Sequence, residues 1–295
     1  MIYIGPAGWS YKDWEGIVFP TKKPTGWNHL RYLSSFFNTI EINSSFYRPP
    51  TAKNASRWVD LVAENPNFQF TFKLWQEFTH SPALTIDPGK IEMALEGIYP
   101  LWRENRLGAI LIQFPWSFKY STESLDRLLT IARTFHEFPL VVEIRHSSWN
   151  QSVFFDFLKT HRIGFANIDQ PVIGESIPLT DYVTSSIGYV RLHGRNYQNW
   201  FHQEATVASR YDYLYGEDEV REILDSIEEL ITNSPKAFMI FNNHYRGQAI
   251  ANALQAMFFM DGEKKKMPGD LLHFYHVLEP IAELEKESGD QMALF

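Results

Sequence analysis

Residues 141–146 read VVEIRH and residues 189–195 read YVRLHGR. Side chains alternate faces along a strand, so positions i and i+2 share one face. In the first stretch Val142 and Ile144 therefore oppose Glu143 and Arg145; in the second, Val190 and Leu192 oppose Arg191 and His193. The alternation recurs on either side of these two. TIEIN (39–43) sets Ile40 and Ile42 against Glu41 and Asn43, and FTFKL (70–74) sets Phe70 and Phe72 against Thr71 and Lys73. ILIQF (110–114) sets Ile110, Ile112 and Phe114 against Gln113, and ANID (166–169) sets Ala166 and Ile168 against Asn167 and Asp169. A last apolar segment runs into Asn242 and Asn243.

Eight short apolar or alternating segments occur, near residues 2–5, 38–43, 68–73, 108–113, 139–144, 163–168, 188–193 and 237–242. Apolar residues at helical spacing fill 26–37, 90–104, 121–135, 151–161, 217–231, 247–260 and 270–286. Strand–helix alternation, read as eightfold, predicts an α/β fold of parallel βαβ units closed into a single (β/α)8 TIM-like barrel over residues 1–286. A short polar C-terminal tail follows over 287–295. A doubly wound open sheet is the alternative, and the lack of GxGxxG or GxxxxGK[ST] after an early strand counts against its nucleotide-binding forms. In a barrel the apolar faces lie under the helices, so the polar sets are expected to point inward at the C-terminal mouth, where barrel enzymes place their sites.

Composition suits this reading. A chain of 295 residues, 44% of them hydrophobic, can bury one large core, and α/β barrels commonly run to about 250 residues as one unit. The net charge of −8 exerts no global pull toward nucleic acid or anionic lipid, so strong autonomous nucleic-acid binding is not expected and any anion must be held by a local cluster. The absence of cysteine excludes disulfides, thiolate metal sites and cysteine nucleophiles. The chain opens on MIYIG, a strand start rather than a signal peptide, and has no apolar run near the roughly 20 residues of a membrane span. A cytoplasmic protein without a membrane partner is the expectation.

Seven stretches resemble characteristic segments of the YecE-like family, a domain-of-unknown-function family: GPAGWSYKDWEGIVFP (5–20), FFNTIEINSSFYRPP (36–50), FTFKLWQEFTH (70–80), LGAILIQFPWSF (107–118), VVEIRHSSW (141–149), YVRLHGR (189–195) and FNNHYRGQAIANA (241–253). The resemblance covers nearly the whole chain. It implies a TIM-barrel fold and no particular reaction. One departure is Phe19-Pro20, where the family commonly has Tyr-Pro.

Glu41 and Glu143 are candidate general acid and base. They also suit a glycoside-type hydrolase if their carboxyl groups lie roughly 5–10 Å apart. Each can equally be neutralised by neighbouring cations and merely position them. Lys73, Arg145, Arg191 and Arg195 make the mouth locally positive, and Arg forks suit phosphate or carboxylate. His193 shares a face with Arg191 and titrates near neutrality, which makes it the acid–base candidate; a histidine satisfying a backbone group is the plainer alternative. Asn43, Gln113, Asp169, Asn242 and Asn243 complete the polar set expected to contact substrate. Trp9, Tyr11 and Tyr47 lie on loops after the first two strands and are expected to wall the pocket. No cofactor is predicted, since HExxH and cysteine patterns are absent. A divalent ion at Glu41, Glu143, Asp169 and His193 stays open, opposed by the interleaved cations. The structural alternative for the whole set is an ion-paired plug in the barrel mouth.

The chain ends ELEKESGDQMALF (283–295). Gln291, Leu294 and Phe295 resemble the Gln-x-x-Leu-Phe peptide that docks bacterial proteins on the DNA sliding clamp; Leu and Phe would fill an apolar pocket while Gln fixes register. Folding of the apolar tail back onto the barrel is the competing reading. Together these features predict a barrel enzyme acting on a small anionic, phosphorylated or nucleotide-like substrate by acid–base or hydrolytic chemistry. The alternatives are a non-catalytic, clamp-tethered binding protein in DNA maintenance and a paired-glutamate glycoside hydrolase.

Overall fold

Each of the eight segments forms a strand: β1 (Ile2–Pro6), β2 (Thr39–Ile42), β3 (Gln69–Lys73), β4 (Leu107–Gln113), β5 (Leu140–Glu143), β6 (Gly164–Asp169), β7 (Ile187–Leu192) and β8 (Lys236–Phe241). They pair in parallel in the order β1-β8-β7-β6-β5-β4-β3-β2. The computed structural model describes residues 1–81, 85–200 and 207–283.

The β1/β2 seam closes the barrel without a regular ladder. Below, the Asn38 side chain stands in for a strand: its Oδ1 accepts from Ile4 N at 2.9 Å and its Nδ2 donates to the Ile2 carbonyl at 3.1 Å. Above, Ala7 bridges Glu41, and Gly8 N donates to the Glu41 carbonyl at 2.9 Å. Between these points the strands approach so closely that a Cβ on Gly5 would lie 1.9 Å from the Thr39 carbonyl oxygen.

The helices cover the outside: α1 (His29–Ser34), α2 (Ala52–Leu61), α3 (Pro88–Arg103), α4 (Thr122–Thr134), α5 (Ser152–Thr160), α6 (Glu217–Ser226) and α7 (Gln248–Asp261). Apolar spacing sets the buried stripes, such as Ala94, Ile98 and Leu101 on α3 and Phe154, Phe155 and Leu158 on α5. Side-chain caps fix the starts, with Ser121 accepting from Ser124 N and Asp87 from Gly89 N, the latter followed by Pro88. Among the described residues, no helix is long and apolar enough to cross a membrane.

The helical reading needs three corrections. Helix α2 was not anticipated: its buried residues are only Ala55 and Leu61, a stripe too thin to read, although Thr51 caps it by accepting from Asn54 N. The connection from β6 to β7 (170–186) contains no helix, and Pro171, Gly174 and Pro178 interrupt it, so the alternation is not eightfold. The stretches 217–231 and 270–286 do not form single helices. The first breaks into α6 and Glu228–Asn233; in the second the described residues, to 283, form Leu271–Phe274 and a 3-10 segment, His276–Ile281, with Pro280 inside it.

Gly5→Ala tests the seam. Overpacking of this kind typically costs about 1–3 kcal/mol, and here the obstacle is backbone, so a lowered Tm with the same fold is expected. An unchanged Tm would show that β1 and β2 can part at no cost.

Candidate active site at the C-terminal mouth

Register shows which side chains enter the barrel. Paired residues of neighbouring parallel strands share a face, and Tyr189 pairs with both Ala166 and Phe238, Arg191 with Ile168 and Ile240, and Gln113 with Glu143. The lumen therefore receives Glu41 from β2, Thr71 and Lys73 from β3, Gln113 from β4, Glu143 from β5, and Tyr189 and Arg191 from β7. At its lower end Tyr3 stacks on Phe238 at 4.9 Å. Above that aromatic layer the lumen becomes ionic.

Arg191 stands between two carboxylates. Its Nε and Nη2 donate to Glu41 Oε2 and Oε1 at 2.9 and 2.5 Å, and its Nη1 donates to Glu143 Oε2 at 2.6 Å. All three residues are at most 1% exposed. Tyr189 Oη donates to Glu41 Oε2 at 3.1 Å and lies 3.0 Å from Thr71 Oγ1. Arg145 completes the set from the strand end, with Nε and Nη2 2.9 and 2.8 Å from Glu143 Oε1. Burial pushes the Glu143 carboxyl up, but Arg191, then Arg145 and His193, hold it well below the usual carboxylate range. The Arg191 guanidinium is pushed the other way, far above its ordinary value: Glu143 and Glu41 overcome its burial.

His193 caps this network. Its Nε2 lies 3.4 Å from Glu143 Oε1 and from Arg145 Nη2, and Asn242 Nδ2 lies 3.0 Å from its Nδ1. Burial first, then Arg145, pulls its pKa down to about 3, so at neutral pH it is a neutral imidazole. That charge state suits a positioned hydrogen-bonding group better than the freely titrating acid–base expected from sequence.

Above the network lies a cavity of about 670 Å³. Trp9, Tyr11, Tyr47, Trp58, Tyr211 and His244 wall it, and Asn43, Lys73 and Asn242 are among its polar lining. Tyr11 stacks on His244 at 4.3 Å. The loops after β1 and β8 hold that pair in place: Trp14 Nε1 donates to the His244 carbonyl, and Arg246 N donates to Asp13 Oδ2, each at 2.6 Å. Lys73 Nζ lies 4.0 Å from the centroid of the Phe46 ring. Among the described residues it makes no ion pair or hydrogen bond. Burial, then Arg191, pulls its pKa down to about 7 against the opposing pull of Glu41 and Glu143. Asn43 Oδ1 and His244 Nδ1 are buried with no hydrogen-bond partner.

Four residues expected at the mouth lie elsewhere. On β6 the polar face is reversed: Phe165 packs on Phe154 and Phe155 of α5, so Asn167 and Asp169, on the same face, point away from the lumen. Asp169 accepts from Arg195 Nε at 3.0 Å and from Tyr215 Oη at 2.6 Å. Arg195 joins it there because Gly194, at φ 90°, turns the chain outward after β7. Asn243 also faces outward, donating to the Tyr213 carbonyl at 2.9 Å and to Asn252 Oδ1 of α7 at 2.8 Å. The four groups weighed for a divalent ion are thus not gathered: Arg191 bridges the two glutamates and Asp169 is on the far face. Among the described residues no group of three or more His, Asp or Glu is placed to hold a metal.

Gln113, 7% exposed, donates to the Phe114 carbonyl. Trp14 and Trp149 are core residues, each 0% exposed. The sequence reading missed Tyr189, Trp58, Tyr211 and His244. Tyr189 was open to the same parity argument as Arg191, two residues on; Trp58 belongs to the unread helix α2. Gln291, Leu294 and Phe295 lie outside the described residues.

Eight parallel strands with a buried charged and polar cluster at their C-terminal ends define a TIM barrel with an enzyme-like site. The chain belongs to the family described as "Protein of unknown function DUF72", whose model matches residues 3–272. It is 31% identical to UPF0759 protein YunF of Bacillus subtilis (strain 168) over 276 residues, covering 89% of this chain and 96% of that protein. Against UPF0759 protein YecE of Escherichia coli (strain K12) it is 28% identical over 147 residues, 50% of this chain and 49% of that one. A crystal structure of a DUF72 family protein from Thermotoga maritima MSB8 superposes with a TM-score of 0.75 at 32% identity, covering 88% of this chain and 99% of that one. One from Enterococcus faecalis V583 gives 0.76 at 26%, covering 87% and 94%.

The buried imidazoles predict a pH dependence. Burial is the leading cause that lowers both His193, to about 3, and His244, to about 4, from the ordinary 6.5. Between 6.5 and those values the unfolded chain binds more protons than the folded one, so stability falls as pH falls. Glu143, held low in the fold, adds its loss only below its ordinary 4.5. Tm measured from about pH 7 down to about pH 5 should decline steadily; a flat profile would contradict neutral buried histidines.

Proposed function

We propose that this barrel is an enzyme acting on a small anionic substrate, phosphorylated or nucleotide-like, by acid–base or hydrolytic chemistry at its C-terminal mouth. The observation that carries the reading is Lys73. The charges of Glu41, Glu143, Arg145 and Arg191 cancel, which leaves Lys73 as a cation without a bonded acid among the described residues, lining an aromatic-walled cavity. A half-buried charge whose near partner is only the Phe46 ring is incompletely compensated. An incoming anion would supply the partner, and the walls of Trp9, Tyr47, Trp58 and Tyr211 favour one that carries a flat ring. Asn43 Oδ1 and His244 Nδ1 offer that ring acceptors for its N–H or O–H groups.

In this reading Glu143, held ionised, serves as a base or charge anchor, Glu41 fixes Arg191, and His193 orients the reacting group as a neutral imidazole. The glycoside-hydrolase alternative fits less well. One guanidinium lies between the two carboxylates and bonds both, whereas the acid of such a pair needs a raised pKa.

Calorimetric titration with nucleoside monophosphates and sugar phosphates tests the proposal. A charge-assisted contact is worth about 1.5–3 kcal/mol, so Lys73→Met should weaken the best ligand about 10- to 100-fold, and it should not lower Tm, because it removes a strained charge. Affinity indifferent to Lys73→Met, or no binding by any anion, overturns it.

Clamp docking through Gln291, Leu294 and Phe295 is a separate proposal resting on the sequence. It would favour a nucleotide-like substrate by holding the barrel beside DNA. The full chain is expected to bind a bacterial sliding clamp and a version ending at residue 290 to lose that binding; equal binding by both, or none by either, removes the idea.

A further inference from the structure

Lys73 differs from the other cations near the C-terminal strand ends in what surrounds it. Arg145 and Arg191 hold Glu143, Arg191 also holds Glu41, and Arg195 holds Asp169. Lys73 Nζ instead lies over the Phe46 ring at the end of β3 and lines the cavity. Burial, then Arg191, disfavours its ammonium form, while Glu41, Glu143 and the face of the Phe46 ring favour it, and no carboxylate bonds it to fix its proton. Lysines in such settings serve as nucleophiles.

We propose that Lys73 is a Schiff-base nucleophile whose unprotonated amine attacks an aldehyde or ketone carbon of the substrate in the mouth cavity. The proposal rests on the cavity being the substrate site and deepens that reading by naming a reactive group on the substrate. The Nζ–C bond forms as the carbonyl oxygen gains a proton and the nitrogen loses one, giving a carbinolamine. Its hydroxyl then leaves with a second proton as water, and the nitrogen lone pair forms the C=N bond of the iminium. Amine, carbonyl and one proton taken up from solvent become iminium and water, with no change of oxidation state. The iminium carries the same charge as the ammonium, so its formation adds no charge to the site beyond that of the protonated lysine. His244 Nδ1 and Asn43 Oδ1, buried, unpartnered and lining the same cavity, can accept hydrogen bonds from the carbinolamine hydroxyl. The lowering of the amine to about 7 leaves about half of it unprotonated at neutral pH.

The test treats the full chain with glyoxylate and sodium cyanoborohydride over a range of pH and maps carboxymethyl-lysine by peptide mass spectrometry. Binding of the best nucleoside or sugar phosphate is followed in parallel. Lys73 should be labelled at least about tenfold faster than the other lysines at neutral pH, with its rate half-maximal near 7. Lys73→Arg, which cannot form an imine, should lose the adduct, while anion binding is read on the unaltered chain. Label spread over surface lysines and absent from Lys73, with anion binding intact, overturns the Schiff base and leaves the anionic-substrate reading standing. Loss of both removes both. If Lys73→Arg does not fold, the wild-type profile decides: a Lys73 labelling midpoint near its ordinary 10.5 overturns the proposal.

Discussion

The Arg191 guanidinium, clasped by two buried carboxylates, is the interaction on which the upper barrel depends. Glu41, Arg191 and Glu143 come from β2, β7 and β5, so the three residues tie non-adjacent strands across the lumen. None of them is tolerable alone in that setting, since removing one partner of a buried pair costs about 3–5 kcal/mol. The geometry also selects arginine. Two nitrogens serve Glu41 and a third serves Glu143 in one plane, an arrangement a point-charge ammonium cannot reproduce. The same contact fixes register, because a slip of one residue in β5 or β7 would turn Glu143 or Arg191 out under the helices.

Once that contact is fixed, the charges around it follow. Two glutamates bonded to one arginine leave an excess negative charge, and Arg145 balances it from just beyond β5. His193 then lies buried among two guanidiniums and a carboxylate, and it stays neutral. Lys73 is the surplus cation, placed where the lumen opens into the cavity. A structural plug would need no such surplus, and proteins commonly retain a destabilising charge where function requires it.

The eight strands and the inward course of Glu41, Lys73, Gln113, Glu143 and Arg191 were legible because parity in a strand is geometric and independent of sequence context. Parity gives two faces, however, and only the covering layer says which is the lumen. The reading took the apolar face as the outer one, an assumption that needs a helix outside each strand. On β6, helix α5 covers Phe165, but at Asn167 the covering segment is a loop, whose backbone groups have no helical partners and must find them on the strand. Asn167 supplies them: its Oδ1 accepts from Tyr182 N at 2.9 Å and Thr180 Oγ1 at 2.7 Å, and its Nδ2 donates to the Tyr182 carbonyl at 3.0 Å. Polar residues on β6 therefore face outward, and apolar Ala166 and Ile168 face the lumen.

The same accounting separates structural polar residues from candidate functional ones. Asn167, Asn243 and Asn252 each hydrogen-bond loop backbone, at 182, 213 and 215 respectively, although Asn243 Oδ1 is left buried without a partner. Glu41, Glu143 and Arg191 are satisfied chiefly by one another, which fixes a shape but leaves open what the shape serves. Asn43 Oδ1, His244 Nδ1 and Lys73 Nζ find no hydrogen-bond partner among the described residues. Lack of a partner is not sufficient by itself, since Gln69 Oε1 and Gln170 Oε1 also lack one and neither glutamine lines the mouth cavity. Two acceptors and a cation left unmet around one aromatic-walled space are what a ligand would complete, and that coincidence, more than the number of charges, distinguishes the mouth from the rest of the barrel.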